Sequence, residues 1–390
     1  MSIKKPLVPM LCTLLIATAI AIGCKRSSWP LWNSYAARFV DGQGRVFDPN
    51  GDRHTTSQGQ AYALFFALVG DDRTRFNRIL SWTEANLAQG DLTVHLPARY
   101  WAEDRDGKWK VQDPNSTSDA DVWLAYTLLE AGRLWDTPKY SDMGRGMLAQ
   151  ISGTEVADLP GFGPMLLPGP TGFQHDNTWT LNPSYVPVFI FDRLADFDPA
   201  GPWHQVALNV PRLLAASARH GFAMDWVTYF PGDGFYPAPD QRSGSRPGRS
   251  MNVPGGGYDA IRVYLWAGLQ GNSGETRAKL VNAVSAMSGY LGNHDAPPES
   301  VSDQGIPTTQ AGPVGFSAAV LPYLRAFPGR SSLSAQQMIR MSLMKDDSTG
   351  LYGKDLTWYD QNLALFATGF LDGKFEFGSS GELKVSWMHR

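Results

Sequence analysis

The stretch that decides how this chain folds is Ser118–Trp135, with the sequence SDADVWLAYTLLEAGRLW. Its pattern predicts one long helix whose side chains are apolar nearly all the way round. A helix of this kind offers no polar face to water and is normally buried. We therefore expect Ser118–Trp135 to lie in the interior of a helical fold, covered by other helices.

Helical patterns also fill most of the remaining sequence. We predict further helices at 29–40, 57–69, 72–88, 140–152, 184–198, 203–218, 258–270, 274–292, 314–327, 333–343 and 359–371. Ser57 is the expected N-cap of the second helix. We expect irregular segments at 91–112, 158–183, 231–257 and 294–313, whereas 374–387 alternates enough to form a short strand pair.

These elements predict a single, mostly helical domain over residues 25–390, because no stretch has the composition of a long linker. About a dozen helices in successive antiparallel pairs can close into a two-layer helical barrel. Its long loops would gather at the ends of the inner helices and shape a cleft, since functional residues favour loops on a rigid scaffold.

The composition narrows the classes of partner. A formal net charge of −3 gives no basic surface of the kind that binds nucleic acid. Aromatic residues are frequent, with 13 Trp, 14 Tyr and 19 Phe. Most of them are expected to fill the core, but tryptophan and tyrosine near loops suit a cleft that stacks flat rings against sugars.

The first 24 residues have the pattern of a targeting segment. Lys4 and Lys5 precede an apolar run, Leu7–Ile22, that is too short for a stable membrane span. The segment ends at Cys24, where the sequence resembles a bacterial lipoprotein processing site. We expect a periplasmic or secreted protein, and two alternatives stay open: lipid anchoring through Cys24 or ordinary signal cleavage.

Several catalytic motifs are absent from the sequence. It has no H-E-x-x-H, no G-x-S-x-G, no P-loop and no dinucleotide fingerprint, and its seven histidines lack metal-ligand spacing. We therefore expect no metal and no cofactor. Carboxylates and aromatic side chains remain as the groups that could carry chemistry.

Two groups of acids stand where loops enter helices. Asp119 and Asp121 open the apolar helix, where acids also serve as capping residues and suit the helix dipole. Asp259 precedes Arg262 by three positions, a spacing that also fits a simple helical ion pair. Residue type alone leaves both the structural and the catalytic interpretation open.

A family resemblance gives these acids a context. Its carriers are Arg45–Pro49, His54–Tyr62, Asn115–Trp135, Leu181–Tyr185, Tyr258–Trp266 and Tyr359–Phe366. Together they resemble glycoside hydrolase family 8, and within it the periplasmic endo-β-1,4-glucanases encoded with bacterial cellulose synthase. The resemblance runs from about Trp29 to Trp387, and Ser118-Asp119-Ala120-Asp121 is its fairly specific signature.

The resemblance implies an (α/α)6 barrel of six inner and six outer helices that hydrolyses β-1,4-glucan with inversion. This reaction needs an acid for the leaving oxygen and a carboxylate that activates water, roughly 6.5–9.5 Å apart. The resemblance assigns the acid to position 58, the base to Asp259, and the binding of the distorted sugar to Asp119. The substrate-binding residues that we predict are Trp101, Asn115, Asp121, Tyr185 and Arg262.

Position 58 departs from the family pattern, because Gln58 stands where the family has glutamate. An amide can donate a hydrogen bond but carries no labile proton near neutral pH. General acid catalysis is typically worth about 10²–10⁴-fold in rate. We therefore expect this chain to be impaired in cleavage, whether Gln58 is a natural residue or an engineered change that traps uncleaved substrate.

Three functional hypotheses follow. The first is an endo-1,4-β-glucanase that binds β-1,4-glucan and cello-oligosaccharides, is expected to be a monomer, and works alongside the cellulose synthase secretion machinery. The second is a glucan-binding protein that does not hydrolyse its ligand. The third is a family 8 enzyme that acts on xylan or chitosan.

Overall fold

The computed structural model describes residues 29–240, 253–271, 274–327 and 329–389. Its helices are α1 (Pro30–Phe39), α2 (Ser57–Val69), α3 (Arg73–Leu87), α4 (Ser118–Leu134), α5 (Pro138–Thr154), α6 (Val188–Phe197), α7 (Trp203–Ser217), α8 (Ile261–Leu269), α9 (Gly274–Ala283), α10 (Ala286–Leu291), α11 (Val314–Arg325), α12 (Ser331–Leu343) and α13 (Trp358–Leu371). Short 3-10 helices lie at Pro183–Tyr185 and Ser386–His389. The predicted targeting segment and Cys24 lie outside the described residues.

The helices form two layers. The inner helices are α2, α4, α6, α8, α11 and α13, and all but α6 are buried along most of their length. Each inner helix packs against the outer helix that follows it in the chain, and α13 packs against α1. The prediction of a mostly helical (α/α)6 barrel is confirmed, and the apolar stretch Ser118–Leu134 is one of its inner helices.

Aromatic rings fill the middle of the barrel around Trp123 of α4. Rings from four other inner helices surround its centroid, namely those of Phe65 at 5.0 Å, Phe189 at 6.0 Å, Trp266 at 5.4 Å and Phe366 at 5.0 Å. Most of these pairs are tilted or edge-on, the arrangements that aromatic quadrupoles favour by about 0.5–1.5 kcal/mol beyond burial. The middle of the barrel is therefore a packed aromatic core.

A C-terminal hairpin contributes further rings to this core. Strands β12 (Phe375–Phe377) and β13 (Leu383–Val385) pair in antiparallel register, which confirms the strand pair predicted for 374–387. The Phe377 ring stacks on Phe189 with centroids 3.9 Å apart and planes 18° apart. The Phe375 ring meets Phe65 edge-on at 5.3 Å. The hairpin is thus an integral part of the barrel core.

Short strands occupy much of the sequence that we expected to be irregular. They are β1 (Thr55–Thr56), β2 (Tyr100–Glu103), β3 (Trp109–Asp113), β4 (Val156–Leu159), β5 (Gly163–Leu166), β6 (Gln174–His175), β7 (Thr178–Leu181), β8 (Val227–Phe230), β9 (Gly234–Pro237), β10 (Gly255–Gly256) and β11 (Val301–Ser302). β1–β3 form one antiparallel sheet and β6–β9 another, while β4–β5 and β10–β11 are separate pairs. The expectation of irregular structure was wrong for the strands within 91–112, 158–183, 231–257 and 294–313, because strands of two to five residues are too short for a clear alternation. β1 and β8 lie outside those segments.

Acidic Glu130 joins three parts of the barrel. Its buried carboxylate accepts hydrogen bonds from Arg133 of α4 and from Arg193 of α6, the latter at 2.6 Å. The same carboxylate accepts the backbone N–H of Leu383 in β13 at 3.1 Å. Arg133 in turn donates to the Leu383 carbonyl oxygen at 2.6 Å. These bonds fix the C-terminal hairpin to the inner helices.

No helix among the described residues is both long enough and apolar enough to cross a membrane.

We expect Glu130→Ala to lower the free energy of unfolding by about 3 kcal/mol, because two guanidinium groups would lose the buried carboxylate that they share. Urea denaturation followed by tryptophan fluorescence measures the change. Glu275→Ala is the matched control, since Glu275 is exposed and forms an ion pair at 2.7 Å with Lys279 of its own helix. The control should leave the unfolding midpoint unchanged. Equal losses in both variants would contradict the anchoring role of Glu130.

Candidate active site

Position 58 lies in the first turn of α2. The N-cap of this helix is Thr56, whose hydroxyl accepts the N–H of Gly59 at 3.1 Å, so the prediction of Ser57 as the cap was wrong by one residue. The Ser57 hydroxyl instead lies 3.1 Å from that of Thr117, just before α4. Gln58 is half-buried, and its amide nitrogen donates a hydrogen bond to the Asp119 carboxylate.

The carboxylate of Asp119 connects two inner helices rather than capping one. Asp119 is buried in the first turn of α4, where one of its oxygens accepts the N–H of Ala120 at 2.9 Å. Its other oxygen, Oδ2, accepts from Gln58 and lies 3.9 Å from the Arg262 guanidinium. Capping alone does not account for this position, since an acid that only caps would not face two side chains of other helices.

Arg262 is the centre of the cluster. Its guanidinium lies 3.0 Å from Asp259 Oδ1, and both side chains are buried. The helical ion pair considered from the sequence is therefore present, but Arg262 also donates to the Ser184 hydroxyl at 2.7 Å and to the Tyr359 hydroxyl at 3.3 Å. Through Asp119, the same guanidinium connects Asp259 to position 58.

Arg262 stays protonated although its side chain is buried. Burial by itself lowers the pKa of the guanidinium, but Tyr359, Asp259 and Asp119 around it raise this pKa well above its ordinary value. The cation favours the ionised form of both neighbouring carboxylates, because an opposite charge within a few ångströms stabilises an anion. The site thus holds one permanent positive charge between two acids.

Asp225 contacts the candidate site and was not predicted from the sequence. Its buried Oδ1 accepts three backbone N–H groups, those of Gly257 at 2.9 Å, Asp259 at 2.9 Å and Ala260 at 2.7 Å. These bonds fix the turn that presents Asp259 at the start of α8. Asp225 lies far upstream of that turn, so no spacing rule links the two acids in the sequence.

Ser184 and Tyr359 were also missed as site residues, although both lie in stretches that carry the family resemblance. Ser184 precedes α6 and Tyr359 opens α13. All the inner-helix starts that carry site residues meet at one end of the barrel. A search of every predicted inner-helix start for polar residues would therefore have found both.

A cavity of about 560 Å³ adjoins the cluster. Two of the predicted substrate-binding residues, Asn115 and Tyr185, line it. Aromatic rings also line it: Phe173 and Trp226 stack with centroids 6.0 Å apart and planes 11° apart, and Tyr185 meets Trp226 edge-on. The Asn115 amide is held by Thr171, whose hydroxyl donates to Asn115 Oδ1 at 3.0 Å. A polar and aromatic wall of this kind suits a sugar chain.

Trp101 and Asp121, two further predicted substrate-binding residues, do not line this cavity. The Trp101 ring packs against Trp109 with centroids 5.0 Å apart, and the Arg45 guanidinium lies 4.6 Å from its centre. Asp121 is completely buried beside Glu155. Their contact with substrate stays a prediction, whereas Gln58, Asp119, Asp259, Arg262 and Tyr185 are brought together at one end of the barrel.

Within the described residues, no group of three or more histidines, cysteines, aspartates or glutamates is arranged to hold a metal ion. The groups that this site brings together are carboxylates, an amide and a buried guanidinium.

Comparison of the chain with known proteins identifies its family. The family model for glycosyl hydrolases family 8 matches residues 4–364. An endoglucanase of Xanthomonas axonopodis pv. citri is 42% identical over 96% of this chain and 93% of that protein. An endoglucanase of Escherichia coli K12 is 38% identical over 96% of this chain and 95% of that protein.

A solved structure agrees with the fold. The endo-1,4-D-glucanase from Vibrio fischeri ES114 is 32% identical and superposes with a TM-score of 0.79, covering 92% of this chain and 99% of that one. The family match spans most of the sequence, and the relatives are covered almost completely. The chain belongs to glycosyl hydrolase family 8.

Proposed function

We propose that this chain has the active site of an inverting endo-1,4-β-glucanase. The observation that carries the proposal is the buried cluster in which Arg262 joins Asp259 to Asp119, while Asp119 accepts a hydrogen bond from position 58. Hydrolysis by inversion needs an acid and a base, and position 58 and Asp259, which belong to different inner-helix starts beside an aromatic cavity, are the candidates for these two roles. The similar endoglucanases, and above all the endo-1,4-D-glucanase from Vibrio fischeri ES114, support a 1,4-linked glucan as the substrate.

In the proposed reaction, Asp259 acts as the base. Its carboxylate removes a proton from water as the water attacks the anomeric carbon, and the bond to the leaving oxygen breaks on the opposite face. Arg262 keeps Asp259 ionised before the reaction, since it lies 3.0 Å away in a buried site. Asp119, held in the same cluster, would hydrogen-bond to the distorted sugar ring.

The leaving oxygen needs a proton from position 58, and Gln58 has none to give. Its amide N–H is instead donated to Asp119. We therefore propose that this chain positions the substrate but cleaves it slowly. The amide keeps the shape of a glutamate side chain, so binding of the glucan should survive the loss of proton transfer.

This observation also favours a second candidate function, a glucan-binding protein without hydrolytic turnover. The Gln58 amide always carries the N–H that it donates to Asp119, so this hydrogen bond does not depend on protonation of position 58. The cavity lined by Tyr185, Phe173 and Trp226 could retain an uncleaved oligosaccharide. The two functions differ only in whether bond cleavage follows binding.

The proposal also includes where in the cell either activity takes place. The lysines and apolar run before Cys24 support export, with Cys24 lipidation or ordinary signal cleavage as the two routes. We propose that the exported chain is a monomer and that it acts on newly made glucan alongside a cellulose synthase secretion system.

Gln58→Glu should raise the rate of cleavage by about 10²–10⁴-fold or more, because it supplies the missing proton donor. New reducing ends released from carboxymethylcellulose measure the rate. Gln205→Glu, at an exposed position on α7, is the matched control and should leave the rate as it was. A Gln58→Glu variant without activity would show that position 58 or the substrate is wrongly assigned, and xylan and chitosan tested in parallel separate these outcomes.

Removal of the carboxylate that fixes the Asp259 turn should slow catalysis without weakening binding. In the Gln58→Glu background, we expect Asp225→Ala to lower kcat by about 10²-fold with little change in KM, because Asp259 loses its alignment. Asp225→Asn keeps an oxygen that can accept the three N–H groups and should retain most of the rate. Equal losses in a folded Ala variant and the Asn variant would contradict the positioning role of Asp225.

A further inference from the structure

Asp121 and Glu155 are buried acids that the proposed hydrolysis does not use. Asp121 lies in the first turn of α4, two residues after Asp119, and Glu155 directly follows α5. Both side chains are completely buried. Neither Asp121 oxygen nor Glu155 Oε2 receives an N–H or O–H from another described residue. Two ionised carboxylates facing each other in such a place would be strongly unfavourable, so a proton between them is required.

The hydroxyl of Ser116 indicates which acid holds that proton. It donates to Glu155 Oε1 at 2.6 Å, as expected for an ionised acceptor. Burial raises the pKa of both acids, and Ser116 lowers the pKa of both. The two acids differ in their effect on each other, because Glu155 raises the pKa of Asp121 further whereas the hydrogen bond with Asp121 lowers that of Glu155. We therefore assign the proton to Asp121, whose carboxyl group interacts with that of Glu155.

The pair is attached to the segment that forms the cleft. The N–H of Leu167 donates to the Glu155 carbonyl oxygen at 2.7 Å, and the Ser118 hydroxyl donates to the Leu167 carbonyl oxygen at 2.5 Å. Ser116 and Thr117 line the cavity and lead directly into Asp119. Displacement of Glu155 would therefore move both the cavity wall and Asp119.

We propose that Asp121 and Glu155 share one buried proton and act as a positioning pair for the segment from Asn115 to Asp119. The inference rests on the proposed function only in treating this segment as part of a glucan site. It also gives Asp121 a role different from direct substrate contact. The shared proton couples the shape of the cleft to pH.

The sign of the pH effect follows from where the proton is held. In the unfolded chain Asp121 would lose its proton near pH 4, whereas the folded chain keeps it to a much higher pH. The stabilisation is thus present at low pH and is lost as pH rises through the raised pKa of Asp121. Asp119 and Glu155 are the charged neighbours on α4 and after α5, and both oppose ionisation of Asp121.

The test uses the full chain with Asp121→Asn, whose amide N–H can replace the Asp121 O–H. We expect cello-oligosaccharide affinity at neutral pH to stay within about twofold of the unaltered chain, while the alkaline loss of affinity disappears. Isothermal titration across a pH series measures both. Asp121→Ala should bind weakly at every pH, and exposed Glu275→Gln should keep the original pH profile. Loss of binding by Asp121→Asn at all pH values would overturn the proposal, since an ionised, substrate-binding Asp121 predicts that result.

Infrared spectroscopy tests the proton without any glucan. At pH 8 the unaltered chain should show the carbonyl band of a protonated carboxyl group that is missing in Asp121→Asn. The band should also vanish in Glu155→Gln, because the new amide can donate to an ionised Asp121. Absence of the band in the unaltered chain would overturn the shared proton. If the band is present but the chain binds no glucan, the shared proton is supported and the proposed function is contradicted.

Discussion

The burial of one guanidinium group constrains the end of the barrel that holds the candidate active site. A buried charge costs several kcal/mol unless opposite charges and hydrogen bonds surround it. Arg262 meets this requirement through Asp259 on its own turn, Asp119 on α4 and the hydroxyls of Ser184 and Tyr359. These partners come from four different inner-helix starts. The site is therefore complete only when those helices are docked, so the barrel and the active site form together.

The same geometry explains what an acid would do at position 58. The inner helices place their N-terminal ends at the catalytic end, where the helix dipole favours anions such as Asp119. Gln58 donates an N–H to Asp119. A glutamic acid could make that bond only while it is protonated, which is the form that a general acid needs. Asp119, which now accepts the amide N–H, would thus help to keep a glutamic acid at position 58 protonated.

The helical layers could be predicted from sequence because burial leaves a local signal. Ser118–Leu134 is apolar nearly all round, as expected for a helix that is buried along most of its length. The short strands left no such signal, since two to five residues cannot establish an alternation. Asp225 and Glu155 were missed for another reason. Each contacts a segment that is distant in the sequence, the turn at Asp259 for Asp225 and Ser116 for Glu155, and only the folded chain brings each acid to its segment. Asp121 was found, but its burial beside Glu155 could not be read from its spacing to Asp119.

The hairpin that carries Phe377 also bears on when the barrel core closes during folding. Its rings stack on Phe189 and Phe65, which belong to helices formed much earlier in the chain. Contacts between such distant segments are slow to form, so the hairpin should dock late. Until it docks, the aromatic centre stays open to water and to other apolar surfaces. A chain whose hairpin has not docked therefore exposes apolar rings that favour aggregation and chaperone binding.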